Sequence, residues 1–169
     1  MPEFDTRHKI MTWEAARWRV HAAQAQGQRA VFTNGCFDLL HAGHVRFLEA
    51  ARSLGDLLLV GLNTDISVRR LAKGPGRPLT PEADRAEILA ALACVAGVIM
   101  FSEDTPLALI NTLRPDILVK GGDYRLDEVV GREAVESWGG QVRIIPLIPD
   151  RSTSQLIACI LASFESKME

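Results

Sequence analysis

Cysteine is scarce in this sequence. The three thiols, Cys36, Cys94 and Cys159, are odd in number and far apart, and they form no CxxC pair. None is spaced with a histidine in the manner of a zinc site, so neither a disulfide framework nor a structural zinc centre is expected. This cysteine usage indicates a reducing, cytoplasmic setting.

The sequence also lacks long apolar runs and a large excess of charge of one sign. The longest apolar run, residues 88–101, counts 14 residues and falls short of the roughly 20 that a membrane-spanning helix needs. Residues 1–9 are polar and lack the apolar centre of a signal peptide. With 19 basic against 21 acidic residues there is no dense basic tract, so neither a membrane nor nucleic acid is expected as a partner. A local cationic pocket is still compatible with this balance.

The sequence does contain enough apolar material for one folded domain. Hydrophobic residues make up 47% of the 169 residues and charged residues 24%, as in ordinary globular proteins. We expect an N-terminal helical extension over residues 1–27 and a functional domain over residues 28–169. Trp13, Trp18 and Trp138 are scattered over helical segments, so we expect them to anchor packing rather than to stack on bases.

Short apolar strands alternate with helical patterns along the chain. Strands are predicted over residues 29–33, 56–62, 97–101, 116–119 and 141–145. Helices are predicted over 12–27, 45–54, 80–93 and 129–138, with further helices beginning at 66, 105 and 152. In two of them a threonine N-cap precedes a proline at the first helical position, at 80–81 and 105–106. The alternation predicts a single α/β domain with an open, doubly wound parallel sheet of the Rossmann type.

Polar residues follow three of the predicted strands. In an open parallel sheet, ligands bind outside the carboxyl ends of the strands, so these residues form the candidate site. They occupy positions 34–38 after the first strand, 63–65 after the second and 120–123 after the fourth.

The segment TNGCFDLLHAGH, residues 33–44, is the richest candidate. His41 and His44 are three apart at the start of a helix, where backbone N–H groups and the helix dipole attract phosphate. Gly43 lets a phosphate approach the backbone closely, and the Asn34-Gly35 turn directs further amides to the same place. By itself, HxxH is equally compatible with capping or packing. Zinc is disfavoured because Ala42 replaces the glutamate of HExxH and no third ligand is apparent.

These residues also carry a family resemblance. The segments Gly35-Cys36-Phe37-Asp38 and His41-Ala42-Gly43-His44 resemble the GxFDxxHxGH signature of the cytidylyltransferase-like nucleotidyltransferases. No GxxxxGK[ST] or GxGxxG motif is present, which removes P-loop and standard dinucleotide-binding proteins. Residues 28–162 are similar to the adenylyltransferase half of the bifunctional heptose 7-phosphate kinases and heptose 1-phosphate adenylyltransferases. The matching segments are 61–71, 73–74, 77–78, 84–92, 103–106, 119–124, 130–131 and 152–154.

The resemblance implies a reaction and its participants. An oxygen of D-glycero-β-D-manno-heptose 1-phosphate would attack the α-phosphorus of ATP and expel pyrophosphate, giving ADP-heptose for the lipopolysaccharide inner core. A phosphate monoester is already anionic, so no general base is needed. Mg²⁺ would be held mainly by the ATP phosphates, because no carboxylate cluster is visible and no protein metal ligand is expected. A separate sugar kinase and a phosphatase would act upstream, and a homo-oligomer remains open.

The resemblance also assigns residues to roles. His41, His44 and Lys73 would be catalytic, with the histidines donating hydrogen bonds to the phosphates. The predicted nucleotide-binding residues are Thr33, Asn34, Gly35, Cys36, Phe37, His41, Gly43, His44, Lys120, Gly122, Asp123, Arg151, Ser152, Thr153 and Ser154. The predicted substrate-binding residues are Asp38, Asn63, Asp65 and Arg77.

Structural alternatives stand beside several of these assignments. Lys73 lies in a glycine- and proline-bordered loop and is equally compatible with a solvated surface lysine. Asp65 would serve as the N-cap of a helix beginning at Ile66, and residues 152–154 would cap the last helix. Asp123 fits a simple Asx turn. Arg151 departs from the family pattern, which places an arginine several residues before the serine and threonine cluster.

Two other functions remain open at this stage. One is cytidylyl transfer to glycerol 3-phosphate or a similar small phosphorylated alcohol. The other is a nucleotide-binding sensor that has lost turnover, against which the intact histidine pair and Lys73 argue.

Overall fold

The fold is a single five-stranded parallel sheet with helices on both faces. A computed structural model describes residues 5–71, 76–122, 125–146 and 152–165. The strands are β1 (Ala30–Gly35), β2 (Leu57–Asn63), β3 (Gly97–Phe101), β4 (Ile117–Gly121) and β5 (Gln141–Ile145). Their order across the sheet is β3-β2-β1-β4-β5, and every pair is parallel. The predicted doubly wound α/β class and all five predicted strands are confirmed.

Seven α-helices and two 3₁₀ turns are present in the described ranges. The helices are α1 (Trp13–Gln24), α2 (Ala42–Arg52), α3 (Asp65–Arg70), α4 (Glu82–Ala91), α5 (Leu107–Leu113), α6 (Arg132–Ser137) and α7 (Thr153–Glu165). The 3₁₀ turns are Thr6–Lys9 and Leu126–Glu128. No helix in these ranges has both the length and the apolar character needed to cross a bilayer.

Most errors in the predicted elements concern helix ends. Helix α2 begins at Ala42, ahead of the predicted Val45, with His41 in an extended N-cap conformation. Pro81 and Pro106 occupy the N-cap itself rather than the first helical position, because each has a ψ outside the helical range. Proline is tolerated both at the N-cap and at the first helical position, because its missing N–H is not needed at either one. The sequence alone therefore does not show which of these two positions it takes. Helix α6 begins only after Gly131, whose φ of +90° is left-handed.

Alternate residues of the strands enter two separate apolar layers. On one face Phe32 and Leu59 pack with buried residues of α1, α5 and α6. On the other face Val31 and Leu58 pack with α2 and α4. Since side chains alternate across a strand, coverage of both faces requires apolar residues at every position, which explains the unbroken apolar run of β2.

The N-terminal segment completes one edge of the sheet. Ile10 pairs in parallel with Val98 of β3, and the Met11 N–H donates to the Val98 carbonyl at 3.0 Å. Helix α1 packs on one face of the sheet and buries Ala16, Val20 and Ala23 in the apolar layer there. The boundary between residues 27 and 28 stays a prediction.

The tryptophans follow their expected packing role in two cases out of three. Trp13 and Trp138 are partly buried against the core, and their indole N–H groups donate to the carbonyls of Met100 and Pro115 at 2.9 and 3.1 Å. Trp18 is 74% exposed, so the prediction that it anchors packing is wrong. It lies on the outward side of α1, whose buried positions are Ala16, Val20 and Ala23.

Candidate active site

The candidate site lies where the chain changes direction across the sheet. From β1 the chain continues to β2 and β3 on one side, and it later returns to β4 on the other side. The loops after β1 and β4 therefore lead to opposite sides of the sheet, and the space between two such loops is the usual ligand position in these sheets. Two contacts join these strands: the Thr33 hydroxyl donates to the Val119 carbonyl at 2.9 Å, and the Lys120 ammonium donates to Asn34 Oδ1. Thr33 is fully buried, so its hydroxyl holds the strands together.

The two histidines form a stacked pair at the start of α2. Their ring centroids are 3.9 Å apart with an interplanar angle of 24°, and the ring of Phe37 lies 5.2 Å from that of His44. His41 is the N-cap of α2 and His44 lies in its first turn, so both rings project from one side of the helix N-terminus. Gly43 between them is buried. The structure thus brings the two histidines together, as their spacing predicts.

Burial keeps His44 neutral. Desolvation, with a smaller contribution from the charge of His41, lowers the pKa of His44 to about 4. Its Nδ1 atom is buried and has no hydrogen-bond partner among the described residues. A neutral imidazole carries one N–H donor and one acceptor nitrogen, and an unpaired buried polar atom costs free energy until it acquires a partner. The neutral His44 ring therefore carries one N–H donor in the first turn of α2.

Phe37 shapes the turn between β1 and the histidines. Its φ of +45° is left-handed, a conformation that non-glycine residues rarely adopt. A Cβ on Gly35 would lie 3.0 Å from Cε2 of the Phe37 ring, so only glycine fits there without displacing that ring. The glycine and phenylalanine of the GCFD segment are thus two halves of one turn, which sets Phe37 against His44.

Asp38 is held by protein donors. Its carboxylate is fully buried and accepts from the backbone N–H groups of Leu79 and Thr80, at 2.8 and 2.9 Å, and from Nε of Arg77. Burial alone would raise the pKa of Asp38, but these three hydrogen bonds hold it below its usual range. Asp38 and Arg77, both predicted to bind substrate, are therefore paired with each other in this structure. They fix the segment after residue 76 beside the β1 loop.

Arg85 joins the loops around the site, and the sequence analysis did not single it out. The side chain is 1% exposed and lies in α4. Its guanidinium donates to the carbonyls of Cys36 and Asn63 at 2.6 and 2.9 Å, to Thr80 at 2.9 Å and to the Asp65 carboxylate at 2.6 Å. A buried arginine with that many acceptors ties the ends of β1 and β2 to the start of α4. The one available signal was its spacing, because Arg85 lies four residues before Leu89 and so on the apolar side of α4.

The polar side chains at the end of β2 and just after it form hydrogen bonds with other protein groups. The Asn63 amide donates to Oγ of Ser67 at 2.9 Å, and Asn63 is buried. Thr64, not Asp65, is the N-cap of α3, because its side chain accepts from the Ser67 N–H and its backbone is extended. The prediction that Asp65 caps a helix from Ile66 is therefore wrong: Asp65 is the first helical residue, and its carboxylate contacts Arg85.

The start of α7 reaches the β1 loop. Oγ of Ser152 accepts from the Gln155 N–H at 3.2 Å, which caps the helix as the alternative assignment expected. The Thr153 hydroxyl donates to the Leu39 carbonyl at 3.4 Å. Gly122, after β4, is left-handed and donates its N–H to Ile145 at 3.0 Å. Lys73, Asp123 and Arg151 lie outside the described residues.

Metal ligands are not gathered in the described part of the chain. No group of three or more histidine, cysteine, aspartate or glutamate side chains there has the arrangement to hold a metal ion.

A parallel sheet with a histidine pair at the N-terminus of the helix after its central strand defines a nucleotide-binding α/β domain. The sequence profile of the Cytidylyltransferase-like family matches residues 32–157. The chain belongs to this family of nucleotidyltransferases, and the resemblance seen in the sequence is confirmed.

Two proteins of known name and one solved structure are similar to this chain. The chain is 56% identical over 163 residues to the Bifunctional protein HldE of Syntrophotalea carbinolica, covering 96% of this chain and 33% of that protein. It is 60% identical over 156 residues to the Bifunctional protein HldE of Geobacter sulfurreducens, covering 92% of this chain and 32% of that protein. The chain thus spans about a third of the length of these relatives. A crystal structure of the lipopolysaccharide core biosynthesis protein from Thermoplasma volcanium matches with a TM-score of 0.60 and 29% identity, over 72% of this chain and 98% of that chain.

Proposed function

We propose that this protein transfers AMP from ATP to D-glycero-β-D-manno-heptose 1-phosphate, giving ADP-heptose and pyrophosphate for the lipopolysaccharide inner core. The observation that carries nucleotidyl transfer is the stacked His41 and His44 pair at the N-terminus of α2. Support for the sugar comes from the similarity to the HldE proteins and to the lipopolysaccharide core biosynthesis protein.

The reaction is an in-line displacement at phosphorus. An oxygen of the sugar 1-phosphate forms a bond to the α-phosphorus of ATP, and the bond from that phosphorus to the bridging oxygen of the β-phosphate breaks. The electron pair leaves with pyrophosphate. Because the attacking oxygen is already anionic, the protein supplies positioning and charge stabilisation rather than a base.

His41 and His44 supply the hydrogen bonds that strengthen as charge develops. His44 is neutral and donates one N–H at the α2 N-terminus, His41 lies beside it, and the helix dipole there also favours negative charge. A triphosphate at the α2 N-terminus would accept from ring N–H groups of the pair, and its charge would raise the pKa of His44.

The remaining site residues take supporting roles in this proposal. Lys120 and Asn34 line the crevice between β1 and β4 and contact the nucleotide, together with the residues at the start of α7. Lys73 contacts the triphosphate from its loop. Mg²⁺ is held by the ATP phosphates and offsets their charge when bound. The use of ATP fits the predicted cytoplasmic setting.

Cytidylyl transfer and a nucleotide sensor, the two other candidate functions, predict different results in a turnover assay. Pyrophosphate release should be measured with ATP and with CTP, each combined with heptose 1-phosphate and with glycerol 3-phosphate. We expect release with ATP and heptose 1-phosphate at a kcat/KM at least about tenfold above that of any other pair. Preferred use of CTP with glycerol 3-phosphate would support cytidylyl transfer. ATP binding without pyrophosphate release from either acceptor would support the sensor and contradict the proposal.

A further inference from the structure

A cavity opens at the end of the sheet that is opposite to the candidate active site. Its volume is about 570 Å³, and it lies between α1, the end of α2 and the residues that lead into β2 and β3. Leu57, the first residue of β2, lines this cavity, whereas Asn63, the last residue of β2, belongs to the candidate site. At about 3.3 Å per strand residue, the two places are roughly 20 Å apart. The cavity is therefore distinct from the candidate active site.

Three basic side chains from separate parts of the chain line this cavity. Lys9 comes from the N-terminal 3₁₀ turn, Arg19 from α1 and Arg52 from the last turn of α2. Each of them is partly buried. Burial raises the pKa of the Cys94 thiol in the same lining, and the charges of Lys9 and Arg52 both oppose that increase. The fold thus gathers these cations around one space.

The three cations lack the acidic partners that similar side chains have elsewhere in this protein. Arg77, Arg85 and Arg132 are buried or partly buried, and each forms an ion pair with a carboxylate. None of the cavity cations forms an ion pair with any described residue. Asp56, the acidic residue among the described lining residues, is exposed, and its carboxylate accepts from a backbone N–H at 2.8 Å. Because an unpaired charge is costly to desolvate, this arrangement indicates that the cavity takes an anion.

The contacts that these side chains make with the protein leave donors for a ligand. Lys9 Nζ donates to the Leu92 carbonyl at 3.2 Å, and the Arg52 guanidinium donates to the Gly55 carbonyl. An ammonium has three N–H donors and a guanidinium has five, so each of these contacts uses only one of them. The cations therefore support nearby carbonyl groups and can still bind an anion.

We propose that this cavity binds a small anion that contains two or more phosphate groups. The oxygens of a phosphate group point to different sides, so two linked phosphates can accept from donors on three separate elements at once. A carboxylate has two oxygens in one plane and pairs with a single guanidinium. Trp18 borders the same cavity and is 74% exposed, so a nucleoside diphosphate would add a base that contacts this ring, which inorganic pyrophosphate would not. The inference does not depend on the proposed reaction.

Binding is tested by an NMR titration of the ¹⁵N-labelled chain, because the indole N–H of Trp18 reports on this cavity. Trp18→Phe identifies its signal among those of the three tryptophans. At constant ionic strength, pyrophosphate should shift the Trp18 signal and reach saturation below about 10 mM. Trp13 and Trp138 lie outside the lining, so their signals serve as references.

Charge-neutralising variants assign the binding to the cavity. Arg19→Gln, and independently Arg52→Gln, should raise the Kd for pyrophosphate by at least about tenfold, because each removes a charge-assisted contact with the anion. Arg17→Gln is the matched control, since Arg17 is an exposed arginine of α1 outside the lining. This variant should bind as wild type does. The amide spectra recorded in the same titrations verify that each variant is folded.

ADP and adenosine separate the two sources of the anion. Tighter binding of ADP than of pyrophosphate assigns the cavity to a nucleoside diphosphate, and equal or weaker binding assigns it to the inorganic anion; both results support a diphosphate site. A Trp18 signal that shows no saturable shift up to about 10 mM pyrophosphate overturns the proposal. So does a signal that sodium chloride or adenosine shifts as strongly, and so does pyrophosphate binding that Arg19→Gln and Arg52→Gln leave unchanged.

Discussion

At the scale of single residues, the histidine pair shows how burial changes the protonation of a side chain at a helix N-terminus. A lone HxxH is compatible with capping, packing or zinc, and the side chain of His41 makes no capping hydrogen bond to α2. The rings of His41 and His44 stack at 3.9 Å, and His44 also contacts Phe37. Neither ring is directed to a metal cluster in the described residues. A role of the pair in holding the phosphates of a nucleotide stays a prediction.

The lowered pKa of His44 predicts a specific loss of stability in acid. The unfolded chain takes up the His44 proton near pH 6.5, whereas the folded protein takes it up only near pH 4. Between these values the unfolded state binds more protons, so the free energy of unfolding falls as pH decreases through this range. Denaturant unfolding at pH 7 and pH 5 should show a smaller acid-induced loss in His44→Gln than in wild type. His21→Gln, at an exposed position of α1, is the control and should keep the wild-type loss. An unchanged pH dependence in His44→Gln would contradict the prediction.

At the scale of elements, the site is assembled by two buried ionic side chains that join loops distant in sequence. Arg85 connects α4 to the ends of β1 and β2, and Asp38 connects the β1 loop to residues 77–80. The strands and helices bring these loops near one another. The hydrogen bonds of Arg85 and Asp38 then define their relative positions, which is what a catalytic arrangement requires.

The contribution of Asp38 can be measured against an exposed pair. Asp38→Ala should lower the free energy of unfolding by about 3 kcal/mol, because it leaves a largely buried guanidinium and two backbone N–H groups without their acceptor. Asp104→Ala removes an aspartate from the exposed pair with Arg70, where both side chains are more than half exposed, and should cost under about 1 kcal/mol. Equal, small losses in urea unfolding of the two variants would show that the Asp38 contacts do not hold the segment.

At the scale of the whole molecule, the chain corresponds to about a third of its bifunctional relatives. The described sheet provides one candidate nucleotide site, formed around β1 and β4. The proposed chemistry at that site depends on a nucleophile that is already anionic. The described site is thus expected to require an acceptor that already carries a 1-phosphate.

Substrate requirement tests this conclusion directly. With ATP, Mg²⁺ and heptose 7-phosphate, the purified chain should produce no ADP-heptose, because a C1 hydroxyl lacks the anionic oxygen that a site without a base needs. Heptose 1-phosphate should restore product, as should the 7-phosphate supplied with a separate sugar kinase and phosphatase. The matched control is the same assay with the kinase and phosphatase but without this chain. Product from the 7-phosphate with this chain alone would refute both the single activity and the account of the nucleophile.

The sequence by itself determined the elements and the outline of the site. The unbroken apolar run of β2, the helix periodicities and the Thr12 cap depend on neighbours a few residues away, so local patterns predict them. The same holds for the HxxH pair, whose spacing places both rings on one side of α2. The helix starts at Pro81 and Pro106 were misplaced because the missing N–H of proline is tolerated at either position.

Only the tertiary structure decided the strand order and the partners of the buried charges. Asp38 meets Arg77 across 39 positions, and Arg85 meets the Cys36 carbonyl across 49. No local pattern encodes such pairs, because they exist only after β1, β2 and α4 have packed. The family resemblance assigned Asp38 and Arg77 to the substrate, and in this structure packing places their charges against each other. A buried charge must find a partner, and the fold rather than the sequence neighbourhood determines which one is within reach.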